Sequence, residues 1–155
     1  MINMKAVVQR IYNSSVSVEE KVAGRANEGL LVLLGVTEED TEKEALLLAQ
    51  KTANLRIFRD ENDKMNLSVL DVGGEILSIS NFTLCADTKK GNRPSFIGAM
   101  EPVRANELYS LYTEELKNLG VKSVEKGVFG GDMTISATLM GPVTIILDTD
   151  TWRKK

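Results

Sequence analysis

No histidine occurs anywhere in the 155 residues of this chain, and cysteine occurs once, as Cys85. Without an imidazole, Ser/His/Asp and Cys/His triads are excluded, as are His-based metal sites, because nothing here shuttles a proton near neutral pH as His does. Any hydrolysis must therefore lean on main-chain donors, hydroxyls, carboxylates or the substrate itself. A single cysteine makes no intramolecular disulfide and fills no structural zinc site, and its apolar surroundings in sequence predict a buried thiol. No apolar run approaches the length of a membrane span, so no membrane partner is expected. The start, Met1 to Ala6, lacks the order of a signal peptide, which points to the cytoplasm. The Asp60-Glu61-Asn62-Asp63 run lacks the glycine and distal glutamate of an EF-hand loop, so no metal or cofactor is expected. A net charge of −3 argues against a broad basic face, and with it against a DNA-coating protein. Contact with one strand end stays open. Its best candidate patch is Lys89-Lys90-Gly91-Asn92-Arg93, while Arg153-Lys154-Lys155 reads as a solvated or frayed end.

What is present is ordinary for a globular protein: 43% hydrophobic and 26% charged residues, in a length that suits one domain spanning 1–155. Lys5 to Ile11 reads as a buried strand, Ser15 to Val18 alternates with the strand period, and Glu19-Glu20-Lys21 is a hairpin tip. Leu30 to Val36 is apolar on both faces, which predicts a central strand covered on both sides. Thr41-x-x-Glu44 has capping-box spacing ahead of a helix carrying Ala45, Leu48, Ala49 and Thr52 on one face. Arg56 to Phe58 reads as a short strand and Asp60 to Asp63 as a turn. Glu75 to Leu84 reads as one strand. A second helix begins at Pro102, shows Ala105, Leu108, Tyr112, Leu116 and Leu119 on one face, and ends at Gly120. Strands from Met133 to Thr138 and Val143 to Leu147 bracket Gly141-Pro142. The class is α+β: a largely antiparallel, barrel-like sheet with two main helices packed on it.

Two segments stand out chemically. In Ser80-Asn81-Phe82-Thr83, strand alternation puts the two hydroxyls on opposite faces unless the strand bends, just ahead of a glycine-bearing loop of the kind where sites are built. Gly141-Pro142 is odder, since proline lacks the N–H a central strand needs. The dipeptide must mark a turn, an edge or a place where backbone is presented outward. The base rate of cis X–Pro bonds, about one in twenty, favours trans from the residues alone.

Taken with Val8-Gln9-Arg10, Lys64-Met65-Asn66-Leu67, Gly91-Asn92-Arg93-Pro94-Ser95-Phe96 and Phe129-Gly130-Gly131-Asp132-Met133, these segments closely resemble the D-aminoacyl-tRNA deacylase family. The likeness is collinear from about Met4 to Asp148. Asn81 stands where the family has Gln, and Leu139 and Met140 stand where it usually has polar residues. The resemblance implies a hydrolase that cleaves the ester of D-aminoacyl-tRNA, and possibly glycyl-tRNA, as chirality proofreading. It implies a homodimer with active sites at the subunit interface, and a cis Gly141-Pro142 inserted from one subunit into the other's pocket to reject L-amino acids. By the same likeness, Arg10 supports that wall and Ser80 and Asn81 contact substrate. Phe129 and Met133 line its adenosine end, where plain core packing is the rival role. Main-chain N–H groups around Phe82 and Thr83 would stabilise the oxyanion, and the neighbouring ribose hydroxyl, or a water it orders, would be the attacking or assisting group. A nucleophilic Thr83 side chain is the competing mechanism. Two other readings stand beside this one: a noncatalytic β-rich dimer that binds a tRNA end or a protein partner, and a related deacylase branch that clears small L-amino acids.

Overall fold

The computed structural model describes residues 3–153. Strand β1 (Lys5–Val18) runs through both segments expected as separate strands, turns at Glu19 and Glu20, both with positive φ, and returns as β2 (Lys21–Ala26). Consecutive left-handed residues give the hairpin the twist its strands need. β3 (Gly29–Gly35) then pairs antiparallel with the first half of β1, on the edge whose second half is taken by β2.

Helix α1 (Glu42–Asn54) carries the chain over the sheet. The Glu44 carboxylate accepts from both the N–H and the hydroxyl of Thr41, so the expected capping box is present. Burial alone would raise the Glu44 pKa, but these Thr41 donors and nearby Arg153 together hold it below the usual range. A small hairpin follows, β4 (Phe58–Arg59) with β5 (Met65–Leu67). Its turn is shaped by Asp60, whose carboxylate accepts from the N–H groups of Asn62 and Lys64.

Strand β6 (Glu75–Ser80) lies parallel to β3, and helix α2 (Pro102–Asn118) leads to β7 (Ser123–Lys126), parallel to β6. The sheet is thus mixed: the β1 pairings are antiparallel, as expected, and the two helical crossovers add parallel ones. Pro102 opens α2, and Gly120 beyond its end has φ 103°. β7 comes round to β2, where the Glu125 carboxylate accepts from Arg25 N–H at 2.9 Å. A Cβ on Gly24 would stand 2.6 Å from the Lys126 carbonyl oxygen, so only glycine allows this near-closure of the barrel.

β3 lies at the middle of the order β2-β1-β3-β6-β7, as its two-sided apolar sequence predicts. Leu30, Val32 and Leu34 face α1 and α2 in the larger core, while Leu31 and Leu33 face the barrel interior with Ile11, Val16, Leu77 and Ile79. Buried hydroxyls join the layers. Tyr112 meets Thr52 at 2.8 Å, and Thr52 donates onward to Leu48 carbonyl, which leaves the Tyr112 proton for Thr52 oxygen. Tyr109 donates to Ser78 carbonyl at 2.6 Å, and Ser78 hydroxyl meets that of Thr113 at 3.0 Å.

The last strand departs most from expectation. Rather than two strands about a turn, β8 (Thr134–Asp148) runs unbroken through Gly141-Pro142, pairing antiparallel with β1 on its other edge. Between the pairs Gln9 to Thr144 and Ile11 to Leu139 it advances further than β1, so Met140 to Val143 bow outward. The missing proline N–H costs the ladder nothing inside such a bow. The chain end is also not frayed at Arg153, whose guanidinium reaches Asp40 at 3.7 Å and Glu44 at 3.9 Å. Lys154 and Lys155 lie outside the described residues.

Replacing Tyr112 by Phe removes the donor that satisfies buried Thr52 oxygen. The loss expected is about 1 kcal/mol, read by denaturant unfolding at unchanged m-value. An unchanged midpoint would mean that this hydroxyl pair does not tie α2 to α1.

Candidate active site

Because β3 and β6 are parallel, their carboxyl ends open at the same end of the sheet, and there the structure has a pocket of about 560 Å³. Leu33, Val36, Ile79 and Ser80 come from these two strand ends, and Pro102 and Ala105 from the first turns of α2. Gly130, Gly131 and Met133 close the opposite side, with Ile135 at the start of β8. Phe129 also lines it, its ring 6.2 Å from that of Tyr109. Phe129 and Met133 therefore line the pocket while also packing against the core.

The Ser80 to Thr83 motif does not continue the strand. β6 ends at Ser80, the Asn81 N–H makes the last ladder bond to Leu34 carbonyl, and Phe82–Cys85 then forms a 3₁₀ turn. The alternation argument for the two hydroxyls fails for that reason, and their positions are set by the turn. Ser80, Asn81 and Phe82 line the pocket, while Thr83 faces out beside it. Its hydroxyl donates to Asn81 Oδ1 at 2.5 Å. An amide oxygen is no base, so this bond orients Thr83 without activating it. The opening N–H groups of such a turn, those of Phe82 and Thr83, have no acceptor within it.

Behind the turn, Cys85 is buried and its thiol donates to Val36 carbonyl at 3.3 Å. Burial first, and Asp40 second, push its pKa up to about 11, so it stays a neutral thiol. Tyr109, pushed up to about 12 chiefly by burial, likewise offers no proton shuttle.

Arg10, Gly141 and Pro142 form a separate constellation. Arg10 is 2% exposed, and its Nε donates to Met140 carbonyl at 3.3 Å and its Nη1 to Ile57 carbonyl at 2.7 Å. The Gly141-Pro142 peptide is cis, against the base rate and as the resemblance implies. Neither residue lines the pocket of its own chain. Gly141 lies six positions along the strand from Ile135, at the pocket, which is roughly 20 Å of extended backbone. The chain therefore places the two halves of the expected site apart.

Several pocket residues escaped sequence reasoning, among them Leu33, Val36, Ala99 and Met100, because an apolar lining reads like core. Phe96, the last residue of the Gly91 to Phe96 motif, does not line the pocket but packs on a residue that does. Its ring meets that of Phe82 edge-on, with centroids 5.1 Å apart.

Comparison with known proteins gives a consistent picture. A family model described as D-Tyr-tRNA(Tyr) deacylase matches residues 7–148. The chain is 54% identical over 146 residues to a D-aminoacyl-tRNA deacylase of Bacillus velezensis, covering 94% of this chain and 99% of that one. It is 53% identical over 145 residues to a D-aminoacyl-tRNA deacylase of Rhodopirellula baltica, with the same coverage of 94% and 99%. Among solved structures it is similar to a c-Myc DNA unwinding element binding protein, with TM-score 0.88 and 40% identity over 93% of this chain and 97% of that one. In fold alone it is similar to a probable eukaryotic D-amino acid tRNA deacylase, with TM-score 0.82 and 14% identity over 94% and 99% of the two chains.

The buried Cys85 yields a direct check. At mildly alkaline pH the native protein is expected to resist alkylation for a period in which the unfolded chain is fully labelled. Equal labelling rates would show that the 3₁₀ turn does not cover the thiol.

Proposed function

The chain belongs to the D-Tyr-tRNA(Tyr) deacylase family, and from that premise we propose that it hydrolyses the ester joining a D-amino acid to the terminal adenosine of tRNA, proofreading chirality in translation. Aminoacyl-tRNA as substrate puts this work in the cytoplasm. The observation that carries the reading is that Ser80, Asn81 and Phe82, from one of the segments that carry the resemblance, form one wall of the apolar pocket.

The ester is already activated, so a chain without histidine is equal to the task. Water adds to the ester carbonyl carbon, assisted by the neighbouring ribose hydroxyl. The tetrahedral oxyanion is met by the N–H groups of Phe82 and Thr83. The carbon–oxygen bond to the ribose then breaks, the ribose oxygen takes the proton, and the amino acid leaves as the free acid. Ser80 and Asn81 contact the substrate, and Phe129 and Met133 hold its adenosine end.

Selection against L-amino acids comes from a second copy of the chain. β8 leaves Ile135, Leu139 and Ile146 exposed by 37%, 41% and 68%, and among the described residues it pairs with β1 alone. A twofold pair burying this strand brings Gly141-Pro142 of each subunit to the other's pocket. Fixed backbone there excludes an L side chain and leaves room for a D side chain or for glycine. Arg10 supports that backbone through Met140. Gly141 suits the role because its φ of 124° is a conformation L residues rarely adopt, and a Cβ would stand 3.0 Å from Val143.

The primary test compares release of D-tyrosine and L-tyrosine from their tRNA esters. Cleavage confined to the D-ester is expected, and equal cleavage or none contradicts the reading. Thr83→Ala is expected to keep kcat within about tenfold of wild type, whereas loss of a covalent nucleophile costs on the order of 10⁶-fold. Gly141→Ala is expected to lower D-ester cleavage and to narrow the D-over-L ratio, with a lowered unfolding midpoint from the strained φ, so the ratio is read at a temperature where the variant is folded. An unchanged ratio would take Gly141 out of the site.

A further inference from the structure

The segment between the pocket wall and α2 has a feature that ester hydrolysis does not require. Asp87 and Ser95 exchange two main-chain hydrogen bonds, of 2.8 and 2.9 Å, and close the base of a loop. Asp87 Oδ1 accepts from Lys89 N–H at 2.9 Å, and Gly91 takes φ 85° at the tip. The loop is built, and it presents Lys89, Lys90 and Arg93 to solvent within five residues of a chain whose net charge is −3. Among the described residues none of these three cations has a carboxylate partner; single lysines elsewhere, such as Lys43 and Lys122, share that, but this loop gathers three such cations within five residues.

The loop is also tied to the pocket. Phe96 follows its base and packs edge-on against Phe82, a pocket wall residue that is 59% exposed. Arg93 lies three residues from Phe96, at most about 10 Å of backbone. An unpaired triad of cations beside the mouth of an otherwise apolar pocket fits a ligand whose buried end is neutral and whose emerging part is a string of anions. An acidic peptide would need a partner for its first residue inside the apolar pocket, whereas a nucleic acid places a base there and phosphates outside.

We propose that the loop of Lys89, Lys90 and Arg93 docks the phosphodiester backbone of the single-stranded RNA end whose terminal nucleoside occupies the pocket. This rests on the deacylase reading for the identity of the terminal group, and extends it to the nucleotides that precede it. The loop supplies affinity for the polymer and takes no part in the chemistry at the ester. Three phosphate contacts to a single strand carry a salt slope of about −0.7 each.

The test uses the full-length protein and a triple variant, Lys89→Gln with Lys90→Gln and Arg93→Gln. Cleavage of D-tyrosyl-tRNA is compared with cleavage of D-tyrosyl-adenosine, which has no phosphate. Binding of an uncharged single-stranded RNA with a 3′-terminal adenosine is followed by fluorescence anisotropy across a salt series. In the variant, kcat/KM on the tRNA ester is expected to fall about tenfold or more at low salt, through KM, with the adenosine ester cleaved as by wild type. The slope of log affinity against log salt for the RNA is expected to shrink by about 2. A charge-preserving variant, Lys89→Arg with Lys90→Arg and Arg93→Lys, should restore both. Unchanged cleavage and binding would overturn the proposal, as would equal losses on both esters or tighter binding of duplex DNA than of the RNA. If wild type cleaves neither ester but binds the RNA through the loop, the deacylase reading fails and the docking surface stands. If it neither cleaves nor binds, both fail.

Discussion

A guanidinium buried where β1 meets β8 constrains more of this molecule than any other group. Arg10 is almost fully enclosed and, among the described residues, makes no ion pair, so its charge is stabilised by the carbonyls of Met140 and Ile57. Removing a charge from water is costly unless its donors are met. The arrangement therefore holds only while β8 bows over the arginine and the segment after α1 lies beneath it. The bow presents Gly141-Pro142 outward, in the middle of a strand that a flat ladder would have kept regular. One buried cation thus links β1, the end of α1 and the edge strand to the geometry on which selectivity is proposed to depend.

The other half of the site follows from how the sheet is wound. Two helical crossovers make β3, β6 and β7 parallel, and the ends of β3 and β6 open together beside the start of α2. Ligands of open parallel sheets commonly sit off such carboxyl ends, for the same topological reason. Here the 3₁₀ turn after β6 sets Phe82 at the edge of an apolar cleft. The antiparallel side of the sheet supplies the strand that leaves its own pocket and faces outward. A single chain therefore builds a pocket and an outward bow at different places, and the proposed twofold pairing is what would bring them together.

Much of this was legible in the sequence where the signals are local. The Thr41 and Glu44 cap, Pro102 at the head of α2, the two-sided apolar run of β3 and the buried Cys85 all depend on near neighbours. Non-local features were not legible. β7 is four residues with polar ends, and nothing in Ser123 to Lys126 announces the parallel partner that makes it a strand. The strand-like run from Glu75 to Leu84 gives no sign that the ladder ends at Asn81 and a 3₁₀ turn begins, because β3, the partner that it runs out beside, is far away in sequence. Gly141-Pro142 reads as a break because proline is normally expelled from strands, and only the Arg10 contact shows how a strand continues through it. The pocket itself was half visible: its motif residues carried a resemblance, while Leu33, Val36 and Met100 look like core.

The central claim is that pocket and wall belong to different subunits, and a mixed dimer tests it most directly. One subunit carries Ala99→Trp to fill the pocket, the other carries Gly141→Val to distort the bow, and the two are co-expressed with different tags and purified as a pair. If each site is completed in trans, one of the two sites combines an intact pocket with an intact Gly141-Pro142, and the mixed dimer cleaves D-tyrosyl-tRNA at about half the wild-type rate although each variant alone is inactive. A mixed dimer as inactive as its parents, or a fully active monomer, would contradict the account.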